Sequence, residues 1–315
     1  MAAVSGDLKP ERGRDAGPDV KIERLSAVSL RRTIEPDVEV TGELGAGAVL
    51  PPELLSVAGL GLELSEDQLV KLSREEVASI LDAGLRFEAI LMAGFSFQLA
   101  LQSDFTDPRV VYALHEMGEE TRHSRLFARL LDQLQPTARN PLDKRVYRAV
   151  QRVGMGAIIR RPALLDVLVL AGEEIPDLLQ KKASEHPDTD PFLAEVNRYH
   201  RQEEARHLAF ARTVLPEEWS RASWTDRFAV RHIAPLVIRD MFRFLVHPGV
   251  YETVGLPGWA TWRAANRSPE RVALRHEATR PVLDAMLHAG VVEPGRVPRG
   301  WRDLCGVDAR GVPAA

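Results

Sequence analysis

EVNRYHRQEEARHLAF (residues 195–210) places His200, Glu204 and His207 at positions i, i+4 and i+7 of a helical run. At about 100° per residue these three side chains fall within about 60° of one another on one helix face. Val196, Leu208 and Ala211 lie on or beside the same stripe, so it is expected to face a core rather than water. Buried imidazole beside buried carboxylate is costly unless something pairs with both, and a metal ion does so.

The chain around this segment has 315 residues, 45% of them hydrophobic, enough for one large domain or two small ones. Its 41 basic and 45 acidic residues are interspersed and leave a net charge of −4, which argues against a nucleic-acid partner. Cys305 is the one cysteine, so an internal disulfide framework is excluded and a reducing cytoplasm fits. MAAVSGDLKPERGRDAGPDV (1–20) lacks the apolar run of a secretory signal. AILMAGFSFQLAL (89–101), the longest apolar stretch, is too short to span a bilayer, so a cytoplasmic protein with no membrane partner is expected.

Residues 1–30, rich in Gly, Pro and charge, read as a disordered tail ahead of a single domain over 31–315, with 35–62 as a loosely structured lead-in. From there the 3.6-residue period dominates. Ser73 and Glu76 have the spacing of a capping box, which predicts a helix from about 74 to 103. Asp107–Pro108 opens a second helix that stops before Pro136. A third segment over about 142–160 leads to a fourth helix at about 162–184, and a fifth follows the break EHPDTDP (185–191) to about 213. The ligand-bearing bundle thus covers about 74–213, with two to four further helices over about 217–290 and Pro235 placed to kink the first. No strand series and no solenoid repeat is present in the pattern, so the fold class is all-α.

The other bundle helices supply partners for the first stretch. HEMGEETRHSRLF (115–127) carries Glu120 and His123 at the E-x-x-H spacing that Glu204 and His207 repeat. Two such helices plus one Glu from each of two others form the ligand set of di-iron and di-manganese bundles. The first helix offers Glu88, alone in an apolar run, and the fourth offers Glu173 and Glu174. In an antiparallel hairpin, residues equidistant from the turn stand level. The midpoint of 88 and 120 falls in the break at 103–108, and that of 173 and 204 falls in 185–191. Two divalent cations would neutralise four such carboxylates, and mixed oxygen and imidazole ligation suits iron or manganese better than magnesium.

Glu88, Glu120-x-x-His123, Glu173 and His200-x3-Glu204-x2-His207 resemble the p-aminobenzoate N-oxygenase family of non-haem di-iron oxygenases, over residues 70–215 and more weakly beyond. The most specific element is the third histidine, His200. The resemblance implies a ferritin-like four-helix bundle with a crossover helix and additional C-terminal helices. It implies two iron ions, manganese being compatible, held by Glu88, Glu120, His123, Glu173, His200, Glu204 and His207. On the fourth helix the family context prefers Glu173, whereas helix phase favours Glu174, nearer Ala171 and Leu178. The implied reaction uses O₂ to oxidise a small-molecule aryl amine toward a hydroxylamine or nitro product. Electrons would come from an external ferredoxin or flavin reductase, since the chain has no nucleotide-binding motif, and a homodimer is compatible. Alternatives are a di-iron oxidase, hydroxylase or desaturase acting on an aliphatic or acyl substrate, and ferritin-like metal storage. Glu116, Glu119 and His115 are expected on a solvated face, with Glu116 able to reach the site from one turn away. Glu203 is expected to be exposed. His186, His247, His276 and His288 are expected in polar loops or at helix ends, and His232, Arg239 and Arg243 on a basic helix face.

Overall fold

The computed structural model describes residues 17–314, and the chain is all-α among them. Four long helices form the bundle. We call them α2 (Glu66–Leu99), α3 (Pro108–Leu134), α5 (Pro162–Glu185) and α6 (Pro191–Arg221). Helix α2 packs along α3 and α5 along α6, so the bundle is two hairpins, joined by the crossover helix α4 (Arg145–Ile158). This is the ferritin-like arrangement, with additional helices after it.

The breaks read from the sequence close the hairpins. Asp107 Oδ1 accepts the backbone N–H of Arg109 at 2.8 Å with Pro108 in the first turn, and Asp190 Oδ1 accepts those of Phe192 and Leu193 at 2.9 and 3.0 Å with Pro191 after it. Each aspartate satisfies N–H groups that the first helical turn leaves unpaired, and proline there gives up a donor the helix does not need.

The start of α2 differs from the expectation. Ser65 and Gln68 form the capping box, not Ser73 and Glu76. The latter pair lies inside the helix, where both side chains are buried and hold the 35–62 lead-in against the bundle. Ser73 Oγ accepts the N–H groups of Val49 and Leu50 at 2.9 and 2.7 Å, and Glu76 accepts the N–H and hydroxyl of Ser56 at 2.8 and 2.5 Å. Helix α6 also runs past 213, through Pro216, because Leu215 and Trp219 remain buried beyond that point.

The predicted tail over 1–30 is corrected in part. Residues 1–16 lie outside the described residues, but Pro18–Arg31 forms helix α1, packed on α3 and α6. Ile22 on this helix is buried with Tyr112, Phe210 and Val214. After the bundle, Trp224–Phe228 passes through a wide π turn at Ala229–Ile233 into α7 (Ala234–Phe244). Pro235 sits just past that widened turn, where its missing N–H is accommodated. Helices α8 (Gly258–Ala265) and α9 (Pro269–His288) follow, and α10 (Arg299–Cys305) lies in a stretch without readable periodicity. Trp301 anchors it, fully buried and donating to Val230 O at 3.0 Å.

Ser73→Ala should destabilise the protein without touching the bundle centre, since it strands two buried N–H donors at about 1–3 kcal/mol each. Thermal unfolding monitored by circular dichroism should show a lowered midpoint with an unchanged native spectrum.

Candidate metal centre

The two hairpins bring all seven sequence-predicted residues to one place at mid-height of the bundle. Glu88 comes from α2, Glu120 and His123 from α3, Glu173 from α5, and His200, Glu204 and His207 from α6. Each is buried. Their ligand-type atoms fall into two adjoining groups, Glu88, His123 and His200 in one and Glu120, Glu173, Glu204 and His207 in the other, with all atoms of a group within 4.8 Å of one another.

Glu120 and Glu204 each span both groups. Glu204 turns Oε1 toward His123 Nδ1 and His200 Nε2, at 3.1 and 3.3 Å, and Oε2 toward His207 Nδ1 at 2.9 Å. Glu120 places Oε1 3.0 Å from His207 Nδ1 and Oε2 3.5 Å from His123 Nδ1. Spacings of about 3 Å are those of neighbouring ligands around one octahedral cation. Glu173 rather than Glu174 faces this centre. Glu174, which helix phase favours, turns away to Arg212.

Each histidine is fixed by a hydrogen bond on its far nitrogen. His123 Nε2 donates to Glu203 Oε2 at 3.0 Å, His207 Nε2 to Glu119 Oε2 at 2.7 Å, and His200 Nδ1 to Gln180 Oε1 at 3.0 Å. With that nitrogen donating, a neutral imidazole would turn the lone pair of its other nitrogen to the centre, the tautomer a metal needs. His123 Nδ1, His200 Nε2, Glu120 Oε1 and Glu204 Oε1 are buried with no hydrogen-bond partner of their own. Four orphaned atoms within these two adjoining groups fit cations, because buried polar groups are otherwise paired.

Glu116, Glu119 and Glu203 are corrections to the expected solvated face. All three are buried, and Glu119 and Glu203 act crosswise. EETRH at 119–123 and EEARH at 203–207 are near-repeats, and the first acid of each orients the histidine of the other. The arginines cross as well, Arg122 reaching Glu203 at 3.3 Å and Arg206 reaching Glu119 at 2.8 Å. Tyr199 donates its hydroxyl to Glu203 at 2.9 Å, and Arg206 Nε donates to Ser29 of α1 at 3.2 Å. The repeated pentapeptide was the available signal for these two acids. Reading only E-x-x-H within it left them out. His247 stands at a helix start, ahead of Pro248, and is buried. Arg239 and Arg243 instead pair with Asp240.

Electrostatics follow from burial. Desolvation pushes Glu88 up, and desolvation with the neighbouring Glu204 pushes Glu173 well up. Burial raises Glu116, one turn from Glu120, to about 8. Burial opposes charge on His123 and His207, but the surrounding acids prevail and hold both imidazoles well above their ordinary range. Glu203 goes the other way. Against its burial, the bond from His123 and the charges of His123 and Arg122 bring it to about 2. A cluster of this kind must hold either protons or cations.

An apolar cavity of about 350 Å³ opens on the centre, where Glu88, Glu120, Glu173, Glu204 and His200 form its polar end. Glu119 and Glu203 lie behind the histidines on the closed side.

Residues 16–290 match the family described as P-aminobenzoate N-oxygenase AurF. Uncharacterized proteins of Mycobacterium tuberculosis and Mycobacterium bovis are 28% identical to the chain, over 71% of its length and 68% of theirs. Among the described residues no helix is long and apolar enough to cross a membrane. Fold, converging acid and imidazole groups and a match spanning most of the sequence agree: the chain belongs to the p-aminobenzoate N-oxygenase (AurF) family of oxygenases.

Proposed function

We propose that the protein is a di-iron oxygenase that uses O₂ to oxidise an aryl amine. Glu88, Glu120, His123, Glu173, His200, Glu204 and His207 would hold its two cations. The observation that carries this reading is the set of orphaned nitrogen and oxygen atoms converging beside an apolar cavity. Four carboxylates balance two divalent cations, while Glu119 and Glu203 are balanced by Arg206 and Arg122. Manganese suits the same donors, and the family favours iron.

When bound, the iron pair supplies the electrons and open coordination positions that O₂ activation requires. The protein's own residues do the rest. Glu119, Glu203 and Gln180 keep the three imidazoles in the tautomers that coordinate. Ser124 donates to Glu88 Oε2 at 2.5 Å and fixes that carboxylate on the cavity side. The apolar wall excludes water, so oxidising equivalents are spent on the bound molecule rather than on solvent. Conversion of the amine to a hydroxylamine puts one oxygen atom of O₂ on nitrogen and releases the other as water. It consumes two electrons and two protons, and a ferredoxin or flavin reductase is the fitting class of donor. Metal storage is disfavoured by the walls of the cavity, because Val237, Met241, Phe242, Phe244 and Leu245 come from α7 and the residue after it, outside the bundle.

Purified protein should contain close to two irons per chain and should consume O₂ when reduced in the presence of an aromatic amine. Iron-loaded, reducible protein that leaves all such amines unchanged would remove the substrate claim. Glu204→Ala and His207→Ala should each lose metal and turnover together, and retention of both would place the site elsewhere. Glu119→Gln keeps shape but removes the charge that orients His207, so it should remain folded and bind iron about 10–100-fold more weakly. Chelator competition measures that change.

A further inference from the structure

The chemistry of the cavity bears on which amine enters. Resting on the oxygenase reading, we infer that the substrate is an uncharged, lipophilic aryl amine without the carboxylate that the family's name suggests.

The polar side chains of the lining fall into two sets. The inner set is the metal-ligand group with Gln180, which bonds His200. The outer set is Asn140, Gln151, Ser79 and an ion-paired cluster of Asp82, the half-exposed Arg86 and Asp143. Between them the wall is apolar, with Phe87, Leu91, Leu168, Val169, Met241 and Phe242 among its residues. Gly172 shapes the inner part. A Cβ there would stand 1.8 Å from Phe87 Cζ, so the ring lies directly on the backbone one residue before Glu173. An aromatic ring seated beside Phe87 places its nitrogen toward Glu88 and Glu173, whose carboxylate oxygens accept N–H groups.

A carboxylate para to that nitrogen would point back along the apolar stretch. Arg86 is the one lysine or arginine among the described residues that line the cavity. Its guanidinium is engaged: Nε and Nη2 bond Asp82 at 2.8 and 3.2 Å, and Nη2 lies 3.2 Å from Asp143. It also sits at the outer end, 49% exposed. Burying an anion against the wall without a free cation is strongly unfavourable, whereas an alkyl substituent gains from the same surface.

Iron-loaded protein is titrated calorimetrically with 4-butylaniline, p-aminobenzoate and butylbenzene, and the titrations are repeated on metal-free protein. Binding of 4-butylaniline about 100-fold tighter than p-aminobenzoate is expected. Butylbenzene should bind more weakly than 4-butylaniline, because it cannot donate to the inner carboxylates. Equal or tighter binding of p-aminobenzoate, or no binding of 4-butylaniline, overturns the inference. Equal binding of butylbenzene overturns the amine and favours an apolar substrate without one. Arg86→Gln, a substitution at a half-exposed position, should leave p-aminobenzoate affinity unchanged, and a loss of about tenfold or more would show that Arg86 receives the carboxylate after all. Failure of the oxygenase reading is separately visible as absence of iron binding, with the ligand preference still readable on the metal-free protein.

Discussion

Four carboxylates buried close together are the constraint on which the molecule is built. Left to themselves they repel, and burial raises the cost of each charge. Three imidazoles, two orienting acids and two arginines stand around them, all carried by helices whose lengths and turns bring these groups level. Cations at the centre would turn this costly cluster into a clamp across all four rods of the bundle.

The exchange between EETRH and EEARH gives the clamp its order. Helices α3 and α6 belong to different hairpins, yet each supplies the acid that aims the other's histidine. Neither half-site is complete on its own hairpin. A shift of one helix along the other would misalign both imidazoles at once, which couples the position of the hairpins to the readiness of the centre. The open side is left to Glu88 and Glu173, whose helices α2 and α5 also supply most of the cavity wall.

Much of this was legible in the sequence because it rests on local pattern. Asp-Pro and the hairpin midpoints fixed the two turns, and the i, i+4, i+7 spacing with the repeated E-x-x-H named the residues that converge. The remainder depended on packing between distant segments. Ser73 and Glu76 have the spacing of a helix start, but burial against residues 49–56 gives them another task, and Ser65 with Gln68 takes the capping role. Glu119 and Glu203 look solvated because glutamate on a charged helix usually is. Only the opposing helix shows that each has an imidazole and an arginine waiting. Glu174 had the better helix phase, and Arg212 across the hairpin draws it outward. Helix α1 was hidden by its Gly- and charge-rich preamble, and its stability comes from docking on α3 and α6 rather than from its own propensity.

That docked segment ties one end of the polypeptide to the chemistry. Ser29 receives the guanidinium of Arg206, the cation that neutralises Glu119, which in turn steadies His207. A chain of three contacts therefore leads from helix α1 to an inner imidazole. Removing residues 18–31 would cut the first link of that chain, so a truncation far from the metal-type ligands in sequence would be felt among them.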